Sequence, residues 1–550
     1  MNSSLPRALV DDMRKKQIDV EMTLRILENY NQGRYDHIKP VEVESIPAVD
    51  GQTIIDMTKP VLLRLDRRKI EERLESLGVS WLISGHPEIF GRTDGDSTLL
   101  DRGALKVVGN ALLPLLSYGI LNGGSATSYA DRTKNRSFNS ELYSLLEPEF
   151  ERMAELSSGR AKGLTPGFIN PDGSPGPSFI ELKMRALLIE AMAARNLSGT
   201  YPSASLSADT ARSKTHSETS SAALSAGLPL FQMTSVSNDR EVIDAFAAFS
   251  ESPLLAPLIR ATGFDPTKAE TGVQSLIAAY SHSSEGRPKR IFDRASGIEG
   301  STLPLPGGHG QNFSVLKSVY RNLRRMGKRY VYLGNVDNLG FTVDPVELAY
   351  LALTGRQAGF DFAFRTPVDV KGGILVRDRH SGLTCADIGP AISTEEMLNA
   401  EASGSGILFN CATGLFDLDY LMANIDRIVD EIPTRFSDQS KDAGNYSQAE
   451  QVTWEIIGML DNFLVFGVKK WNRFLAAKLL VETLMTSGVK IDHPDYPRSA
   501  RAAEDLHGTA ERLHAGLVGR LENVYGMQLN AGRWQPVPPE ALGKGQRNET

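Results

Sequence analysis

Two segments, each directly after a predicted strand, carry the residues best suited to chemistry in this chain. The first covers residues 121–128 and reads Leu-Asn-Gly-Gly-Ser-Ala-Thr-Ser. Glycines let backbone N–H groups approach an anion closely, and the hydroxyl groups add further donors, so the segment could bind phosphate. An ordinary strand-to-helix turn is the alternative interpretation.

The second segment places Asp337 in the sequence Asn-Val-Asp-Asn-Leu-Gly, just after the β-like run 329–333. A carboxylate at a strand end suits Mg²⁺, which takes few protein ligands and keeps phosphate and water oxygens. An Asx turn that only caps the strand would use the same residues.

Three further segments could contact a phosphorylated ligand, and each also has a simpler interpretation. Residues 306–310 (PGGHG) offer bare backbone and one histidine, or only a flexible turn. Residues 369–373 (DVKGG) form a charged turn between two predicted strands, or a plain hairpin. Residues 473–478 (RFLAAK) carry two basic side chains that could contact the ligand, or they only form one face of a solvated helix.

The elements that must position these segments are short apolar strands alternating with amphipathic helices from about residue 105. Strands are predicted at 115–121, 229–233, 329–333, 361–365 and 374–377, and helices at 179–195 and 312–326. Such alternation predicts an α/β domain with a largely parallel sheet, and ligands bind such sheets at the carboxyl ends of the strands.

We divide the chain into a helical N-terminal region (1–104), a catalytic domain (105–487) and a short helical C-terminal region with a mobile tail (488–550). Apolar residues at helical spacing, stopped by Gly78, support the first region. Three stretches are predicted to be loops, at 131–158, 167–178 and 203–225.

Composition narrows the function classes. The 550 residues are too many for one small core, and a net charge of −7 argues against a nucleic-acid binder. The two cysteines, Cys385 and Cys411, exclude a disulfide scaffold and a cysteine-rich zinc site. No signal peptide or membrane span is evident, so we expect a cytoplasmic location and no membrane partner.

Taken in order, these segments resemble the UDP-glucose pyrophosphorylase family, the UTP–glucose-1-phosphate uridylyltransferases. That family carries LNGGLGTSMG, PPGHGD, NIDNLGATVD, DVKGG, FNTNN and RFLPVK, where this chain has LNGGSATSYA, PGGHGQ, NVDNLGFTVD, DVKGG, FNCAT and RFLAAK. The likeness spans roughly residues 115–484. The related UDP-N-acetylglucosamine pyrophosphorylases resemble the chain less, because their glycine loop carries an arginine where Ser128 stands.

The resemblance implies a Rossmann-like nucleotide-diphospho-sugar transferase core with a mixed, mostly parallel sheet. It also implies roles for individual residues. The catalytic residues would be Lys162, Lys478 and Asp337, with Asp337 as the Mg²⁺ ligand. The nucleotide would be bound by Leu121, Asn122, Gly123, Gly124, Met233, Arg294 and Gly308. The sugar phosphate would be bound by His309, Asn335, Lys371, Gly373 and Asn410.

The chain departs from the family pattern in four places. The family's loop lysine, in GPKS, is best matched by Lys162 across an insertion, and Lys134 is the alternative. Arg294 aligns with the uracil-reading Gln of FNQSRYP, which leaves the base open. Ala126 replaces a loop glycine, and the usual C-terminal β-helix is not predicted.

The implied activity joins UTP to a hexose 1-phosphate, with glucose 1-phosphate expected, and releases pyrophosphate after in-line attack at the α-phosphorus. A UDP-N-acetylglucosamine or broad UDP-sugar pyrophosphorylase is the alternative, and a catalytically inactive sugar-nucleotide-binding homologue is a further one. A kinase is disfavoured because no GKS/T follows the glycines. A homo-oligomer is left open.

Overall fold

A computed structural model describes residues 5–200, 227–366, 369, 372–380, 382–404, 406–498 and 505–542, with the backbone alone for 195–200. The predicted loop 203–225 and the predicted ligand residue Lys371 lie outside these residues. Within the part of the chain that is described, no helix has the length and apolar character needed to cross a bilayer.

The strands of the described residues are short, mostly two to eight residues long. They are β1 (Val43–Ser45), β2 (Ile54–Asp56), β3 (Leu62–Asp66), β4 (Thr93–Asp94), β5 (Ser97–Asp101), β6 (Leu116–Leu121), β7 (Leu230–Ser235), β8 (Glu270–Gln274), β9 (Leu276–Ala278), β10 (Tyr280–Ser281), β11 (Pro304–Pro306), β12 (Tyr330–Asn335), β13 (Ala358–Phe364), β14 (Gly373–Asp378), β15 (Gly382–Asp387), β16 (Leu408–Asp417), β17 (Thr434–Lys441), β18 (Gly444–Gln451), β19 (Phe463–Val468), β20 (Met527–Asn530) and β21 (Arg533–Pro536).

The α-helices lie between these strands and at both ends of the described chain. They are α1 (Arg7–Lys15), α2 (Val20–Asn31), α3 (Arg67–Ser76), α4 (Trp81–Gly85), α5 (Arg102–Leu112), α6 (Arg132–Phe138), α7 (Ser140–Ser157), α8 (Phe179–Thr200), α9 (Asp239–Phe249), α10 (Ala256–Thr262), α11 (Asn312–Val315), α12 (Lys317–Arg325), α13 (Pro345–Thr354), α14 (Thr394–Ala402), α15 (Leu418–Glu431), α16 (Lys470–Arg473), α17 (Leu480–Thr486) and α18 (Leu506–Asn523).

An eleven-stranded sheet organises the molecule, with the order β2-β19-β13-β16-β12-β6-β7-β8 and with β14, β15 and β1 attached beside β16. The pairs β12–β6, β6–β7, β7–β8, β13–β19 and β19–β2 are parallel. Strand β16 runs antiparallel to both of its neighbours, β12 and β13. The predicted α/β class with a mixed, mostly parallel sheet is confirmed.

Side chains of the central strands point alternately into two hydrophobic cores, one on each face of the sheet. In β12, Tyr330 and Tyr332 belong to the core beneath α5, α8 and α13. Val331 and Leu333 belong to the core beneath α12 and α15. This period of two is what a strand buried on both faces requires. The result is a sheet between two helical layers.

The N-terminal region contributes strands as well as the predicted helices. β2 pairs in parallel with β19 of the main sheet, and β3, β5 and β4 form a small sheet of their own. The expected boundary at 104/105 falls inside α5 (Arg102–Leu112). Residues 1–104 are therefore not purely helical, because one of their strands completes the edge of the main sheet.

The prediction of a loop over 131–158 was wrong. The stretch forms α6 and α7, and α7 buries Leu142, Leu146, Phe150 and Met153. The spacing of these residues is four, four and three, which places them on one helical face. Asn139 caps the helix by accepting from the Leu142 N–H, so both an apolar stripe and a cap signal were present in the sequence.

The C-terminal residues fold back onto the catalytic domain. Helix α18 approaches α16 so closely that a β-carbon on Gly516 would lie 2.0 Å from the Trp471 carbonyl oxygen. The β20–β21 hairpin follows. The guanidinium of Arg185, on α8, donates to the carbonyls of Tyr525, Gly526 and Val537. These hydrogen bonds hold the C-terminal region against helix α8.

Candidate active site

The glycine segment and Asp337 leave the sheet side by side. β6 and β12 are parallel neighbours, and Leu121 pairs with Asn335 at the last register position. The N–H of Val336 donates to the Leu121 carbonyl at 3.3 Å. Two of the five predicted segments therefore share one point at the carboxyl edge of the sheet, where ligands bind in folds of this kind.

The glycine segment is held by its neighbours on the next strand. The N–H of Asn122 donates to the Met233 carbonyl at 2.8 Å. The amide of Asn238 donates to the carbonyls of Asn122 and Gly124. Leu121, Asn122 and Met233 are buried, whereas Gly124 is exposed, so only the tip of the segment is open to a ligand.

Lys162 lies against both predicted segments. Its N–H donates to the Gly124 carbonyl at 3.1 Å, and its ammonium pairs with the Asp337 carboxylate. The ammonium also donates to the Ala477 carbonyl at 2.5 Å and stands 5.1 Å from the Tyr129 ring centroid. The paired side chains of Lys162 and Asp337 are only 14% and 15% exposed. A strong charge pair thus lies beside the glycine segment.

Lys134 occupies a different position. It lies in the first turn of α6, is exposed, and donates from Nζ to Ser128 Oγ at 2.7 Å. The structure therefore places Lys162 at Asp337 and Lys134 at the outer end of the glycine segment.

The Lys478 segment approaches the same turn from the other side. The N–H of Leu475 donates to Asn338 Oδ1 at 2.9 Å, and Ala476 forms a bridge with Asn338. The predicted helix face is instead the end of the short helix α16 followed by extended chain. Lys478 itself is exposed and makes no hydrogen bond or ion pair with the described residues. Its charge is available to a ligand.

The histidine turn packs on β18 and reaches toward the glycine segment. Gly308 has φ +86°, and a β-carbon there would lie 2.3 Å from the Gln451 carbonyl oxygen, so only glycine fits. Nδ1 of His309 accepts from the Thr453 N–H at 3.1 Å. Burial, with a smaller contribution from the Lys478 charge, lowers the pKa of His309 to about 4. The neutral ring consequently carries its proton on Nε2, as a donor.

Gln274, at the end of β8, connects the histidine turn to the glycine segment, and it was not among the predicted residues. Its Nε2 donates to the Gly308 carbonyl at 2.6 Å. A β-carbon on Gly123 would lie 3.0 Å from its Oε1. The signal was available, because Gln274-Ser275 reproduces the Gln-Ser of the family's FNQSRYP segment.

The structure does not bring Arg294 to this point. Arg294 is exposed, and the nearby Ser296 N–H donates to the Ala443 carbonyl just before β18. The Gly308 turn contacts Gln451 at the other end of the same strand. The two ends of β18 are seven residues apart, which corresponds to roughly 23 Å along an extended strand. The position of Arg294 therefore does not support its predicted role at the nucleotide base, and Gln274 is the better placed candidate.

Two of the residues predicted to bind the sugar phosphate, Gly373 and Asn410, lie on β14 and β16. Asn410 donates from Nδ2 to Cys385 Sγ at 3.3 Å and accepts from the Ala412 N–H at 2.8 Å. A β-carbon on Gly373 would lie 2.5 Å from Cys385 Sγ. Asn335 stands at the end of β12. Gly373 and Asn410 are thus neighbours through Cys385, and Lys371 is outside the described residues.

Buried donors that we did not predict hold residues 337–342. We call this segment the metal turn, because it begins at Asp337, the predicted Mg²⁺ ligand. Lys183 donates to the carbonyls of Asn338 and Phe341. Tyr525 Oη donates to the Leu339 carbonyl at 2.7 Å. Tyr118 Oη donates to the Phe341 carbonyl at 2.6 Å. These donors come from helices and strands distant in sequence.

Arg473 completes this set from the RFLAAK segment. Its guanidinium donates to the Thr342 carbonyl and to the carboxyl groups of Asp361 and Glu347, and all three charged side chains are buried. Burial raises the pKa of both Glu347 and Asp361, and the charge of Arg473 acts in the opposite direction on each carboxyl group. Arg473 supports the metal turn, and its charge is not free for a ligand.

The chain is similar in sequence to known proteins over part of its length. Residues 293–491 match the family model described as UTP–glucose-1-phosphate uridylyltransferase. A probable UTP–glucose-1-phosphate uridylyltransferase of Schizosaccharomyces pombe is 36% identical over 73 residues, which is 13% of this chain and 14% of that protein. The enzyme of Encephalitozoon cuniculi is 30% identical over 125 residues, 18% of this chain and 25% of that protein. The aligned parts thus span at most a quarter of these two relatives.

Two solved structures share the fold over most of the chain. A UDP-glucose phosphorylase from Trypanosoma brucei superposes with a TM-score of 0.52 at 15% identity, covering 87% of this chain and 77% of that one. A uridine diphosphate N-acetylglucosamine pyrophosphorylase from the same organism gives 0.54 at 17% identity, covering 94% and 81%. The matched segment contains His309, Asp337 and Lys478, so over residues 293–491 the chain is similar to the UTP–glucose-1-phosphate uridylyltransferases, and it shares its fold with these two solved structures.

Proposed function

We propose that this protein transfers uridylyl from UTP to glucose 1-phosphate, giving UDP-glucose and pyrophosphate. One observation carries the proposal: the Lys162 ammonium rests on the Asp337 carboxylate at the point where the glycine segment leaves β6. An acidic group, a basic group and bare backbone N–H groups at one strand edge suit a reaction between a nucleoside triphosphate and a sugar phosphate.

The nucleotide would lie along the glycine segment, with its base against Gln274. A glutamine amide offers both an acceptor and donors. Nε2 uses one hydrogen on the Gly308 carbonyl, which leaves Oε1 and the second hydrogen for a base. Uracil presents a donor at N3 beside an acceptor at O4, and this pair matches the free groups of the amide.

The residues present fit a magnesium ion that arrives with the nucleotide. Among the described residues, no three His, Cys, Asp or Glu side chains are grouped as a self-sufficient metal site. Mg²⁺ in phosphoryl-transfer sites is held by one or two carboxylates together with substrate phosphates, and Asp337 would supply the carboxylate. When bound, Mg²⁺ would neutralise part of the phosphate charge.

The protein's part in the chemistry is charge balance and alignment. An oxygen of the sugar phosphate, already ionised at neutral pH, attacks the α-phosphorus in line, and pyrophosphate leaves with the bonding electron pair. No side-chain nucleophile is required. Lys162 and the exposed Lys478, which approach the metal turn from two sides, would stabilise the charge that develops on the attacking and leaving oxygens.

The sugar 1-phosphate would lie on the β14–β16 side. The Nε2–H of His309 is a neutral donor that could reach its phosphate without adding charge. Gly373 and Asn410 would line the opposite wall, and the family resemblance places Lys371 there as well. We propose glucose 1-phosphate as the acceptor, and N-acetylglucosamine 1-phosphate is the competitor to test.

Pyrophosphate release with all four nucleoside triphosphates and a panel of sugar 1-phosphates tests the proposal. We expect turnover with UTP and glucose 1-phosphate that requires Mg²⁺. Asp337→Asn should lower kcat by roughly 10³, the upper range for one transition-state contact, and Asp442→Asn, at the exposed β17–β18 turn, is the matched control. Turnover of Asp337→Asn at the wild-type rate, or no turnover with any pair of substrates, would contradict it.

A further inference from the structure

We propose that Lys183 is a positioning residue that holds the metal turn in the conformation that presents Asp337. The claim that Lys183 affects catalysis rests on the proposed function. The claim that Lys183 fixes the conformation of the turn rests on its own contacts. Lys183 lies on α8, and its ammonium donates to the Asn338 carbonyl at 2.5 Å and to the Phe341 carbonyl at 2.9 Å.

The Lys183 side chain is removed from solvent, since the residue is 1% exposed. Its ammonium stands 5.1 Å from the centroid of the Phe341 ring. Burial lowers the pKa of Lys183 to about 7, and the nearby Asp337 charge acts in the opposite direction. A buried cation is unfavourable unless it is well hydrogen-bonded. Its two carbonyl partners therefore explain its presence at this position.

The two carbonyls are the two ends of one turn. The Phe341 N–H donates to the same Asn338 carbonyl at 3.1 Å, so Asn338 and Phe341 close the turn that follows Asp337. Tyr118 and Tyr525 each donate to a single carbonyl of the metal turn. Lys183 alone among these three joins both ends through one atom. Losing it would free the turn beside the metal ligand.

Arg185, two residues along α8, provides a matched control. It is also 1% exposed, and it also directs its donors to carbonyls, those of Leu254, Tyr525, Gly526 and Val537. None of these carbonyls belongs to the metal turn, and Arg185 bonds the backbone carbonyl of Tyr525, not the Oη that donates to Leu339. Arg185→Met therefore removes an equally buried cation and leaves the contacts of Lys183 in place.

The experiment compares Lys183→Met, Lys183→Arg and Arg185→Met with the wild-type full chain. The first measurement is amide hydrogen exchange over residues 335–343 without substrates. The second is the Mg²⁺ concentration that gives half-maximal pyrophosphate release at saturating UTP and glucose 1-phosphate.

For Lys183→Met we expect exchange over 335–343 to be at least about 10-fold faster and half-saturating Mg²⁺ to be at least about 10-fold higher. Lys183→Arg keeps charge and donors and should recover most of both losses. Arg185→Met should leave the exchange rate and the half-saturating Mg²⁺ concentration within about twofold of wild type, even if its melting temperature falls as far as that of Lys183→Met. If Lys183→Met does not fold, Lys183→Gln replaces it, and we expect the same increases in exchange over 335–343 and in half-saturating Mg²⁺.

Wild-type exchange and wild-type Mg²⁺ dependence in Lys183→Met would overturn the inference, and so would equal effects in Arg185→Met. Failure of the proposed function is distinguishable. In that case the wild-type protein releases no pyrophosphate, whereas hydrogen exchange still decides whether Lys183 fixes the turn.

Discussion

The metal turn and the sugar side of the site are built in opposite ways. In the metal turn, backbone carbonyls are satisfied by buried side chains from β6, α8, α16 and the segment after α18. On the sugar side, by which we mean Gly373, Cys385, Asn410 and Ala412 on β14–β16, the polar contacts stay within the group. Asn410 bonds Cys385 and the Ala412 N–H, whereas the adjoining Asp369 pairs with the distant Lys470.

The sugar side also contains backbone strain that the metal turn lacks among its described non-glycine residues. Ala412 has φ +52°, in the left-handed region that is unfavourable for a residue with a β-carbon. The family's FNTNN has asparagine at this position, a residue that tolerates the region better. The sugar side is therefore locally adjustable, whereas the metal turn depends on the whole fold.

The two regions would therefore respond differently to substitution. A change in Cys385 or Ala412 would reshape the surroundings of Asn410 without touching the donors of the metal turn. A change in the metal turn would have to be matched by several distant residues at once.

The sharpest test of this contrast is at the two lysines that approach the metal turn. Lys162→Ala and Lys478→Ala should each lower kcat by roughly 10²–10³, the usual loss for one donor to transition-state charge. Steady-state kinetics at saturating Mg²⁺ would measure this effect.

Lys134→Ala is the control, because Lys134 lies outside the Asp337 pair and donates to Ser128. It should change kcat by less than about tenfold. If Lys134→Ala proved the more damaging variant, the assignment of the loop lysine to Lys162 would have to be given up.

The next effect concerns the base. Gln274→Ala removes the amide between Gly123 and Gly308, and the preference for UTP over the other triphosphates should fall by roughly 10- to 100-fold, as for one or two lost hydrogen bonds. Competition between triphosphates at fixed glucose 1-phosphate would measure the preference. Arg294→Gln should leave the ratio unchanged, and a large effect there would restore Arg294 as the base-reading residue.

A smaller effect is expected in the pH dependence of stability, through His309. Its pKa is about 4 in the folded protein against 6.5 for an unperturbed histidine, so the unfolded chain binds the proton first as the pH falls. The contribution to the free energy of unfolding is complete above pH 6.5 and is lost as the pH falls toward 4. It is on the order of 2 kcal/mol for this half-buried residue.

Urea unfolding between pH 4.5 and 7 would show this loss. In His309→Asn, whose amide oxygen can still accept from Thr453, the loss should be reduced, whereas His37→Asn, at an exposed position, should follow the wild type. Identical pH curves for His309→Asn and wild type would refute the assignment of the depressed pKa.

The smallest effect belongs to the strained sugar side. Ala412→Asn should raise the free energy of unfolding by about 0.5–1 kcal/mol, because asparagine adopts the left-handed conformation at lower cost. Urea unfolding at pH 7 would measure the gain. Ala48→Asn is the control, because Ala48 is exposed and has no positive φ, so no such gain is expected there. Lower stability of Ala412→Asn would show that packing at this turn outweighs the strain.

Sequence patterns predicted the sheet and the approximate meeting of the glycine segment with Asp337, because strand periodicity and strand-end motifs are local signals. Helix α7 was missed although Leu142, Leu146 and Phe150 carry a helical stripe. The charged residues and Pro148 between them obscured it.

Other parts of the site had no local signal to follow. The acceptors of Lys183 are backbone carbonyls 155 and 158 residues away, and backbone oxygens leave no trace in composition. Gln274, by contrast, had a sequence signal in Gln274-Ser275, but Phe292-Asp293-Arg294 offered a competing alignment. The structure favours Gln274, because its Nε2 donates to the Gly308 carbonyl.

The hydrogen bond between Tyr525 and Leu339 has a consequence for synthesis of the protein. The two residues are 186 positions apart. A ribosome adding about 5–20 residues per second would need roughly 10–40 s to reach Tyr525 after completing the metal turn. During that interval the nascent chain has its glycine segment and Asp337 but not the hydroxyl that secures the turn. The metal turn would therefore gain this donor only long after its own residues have been synthesised.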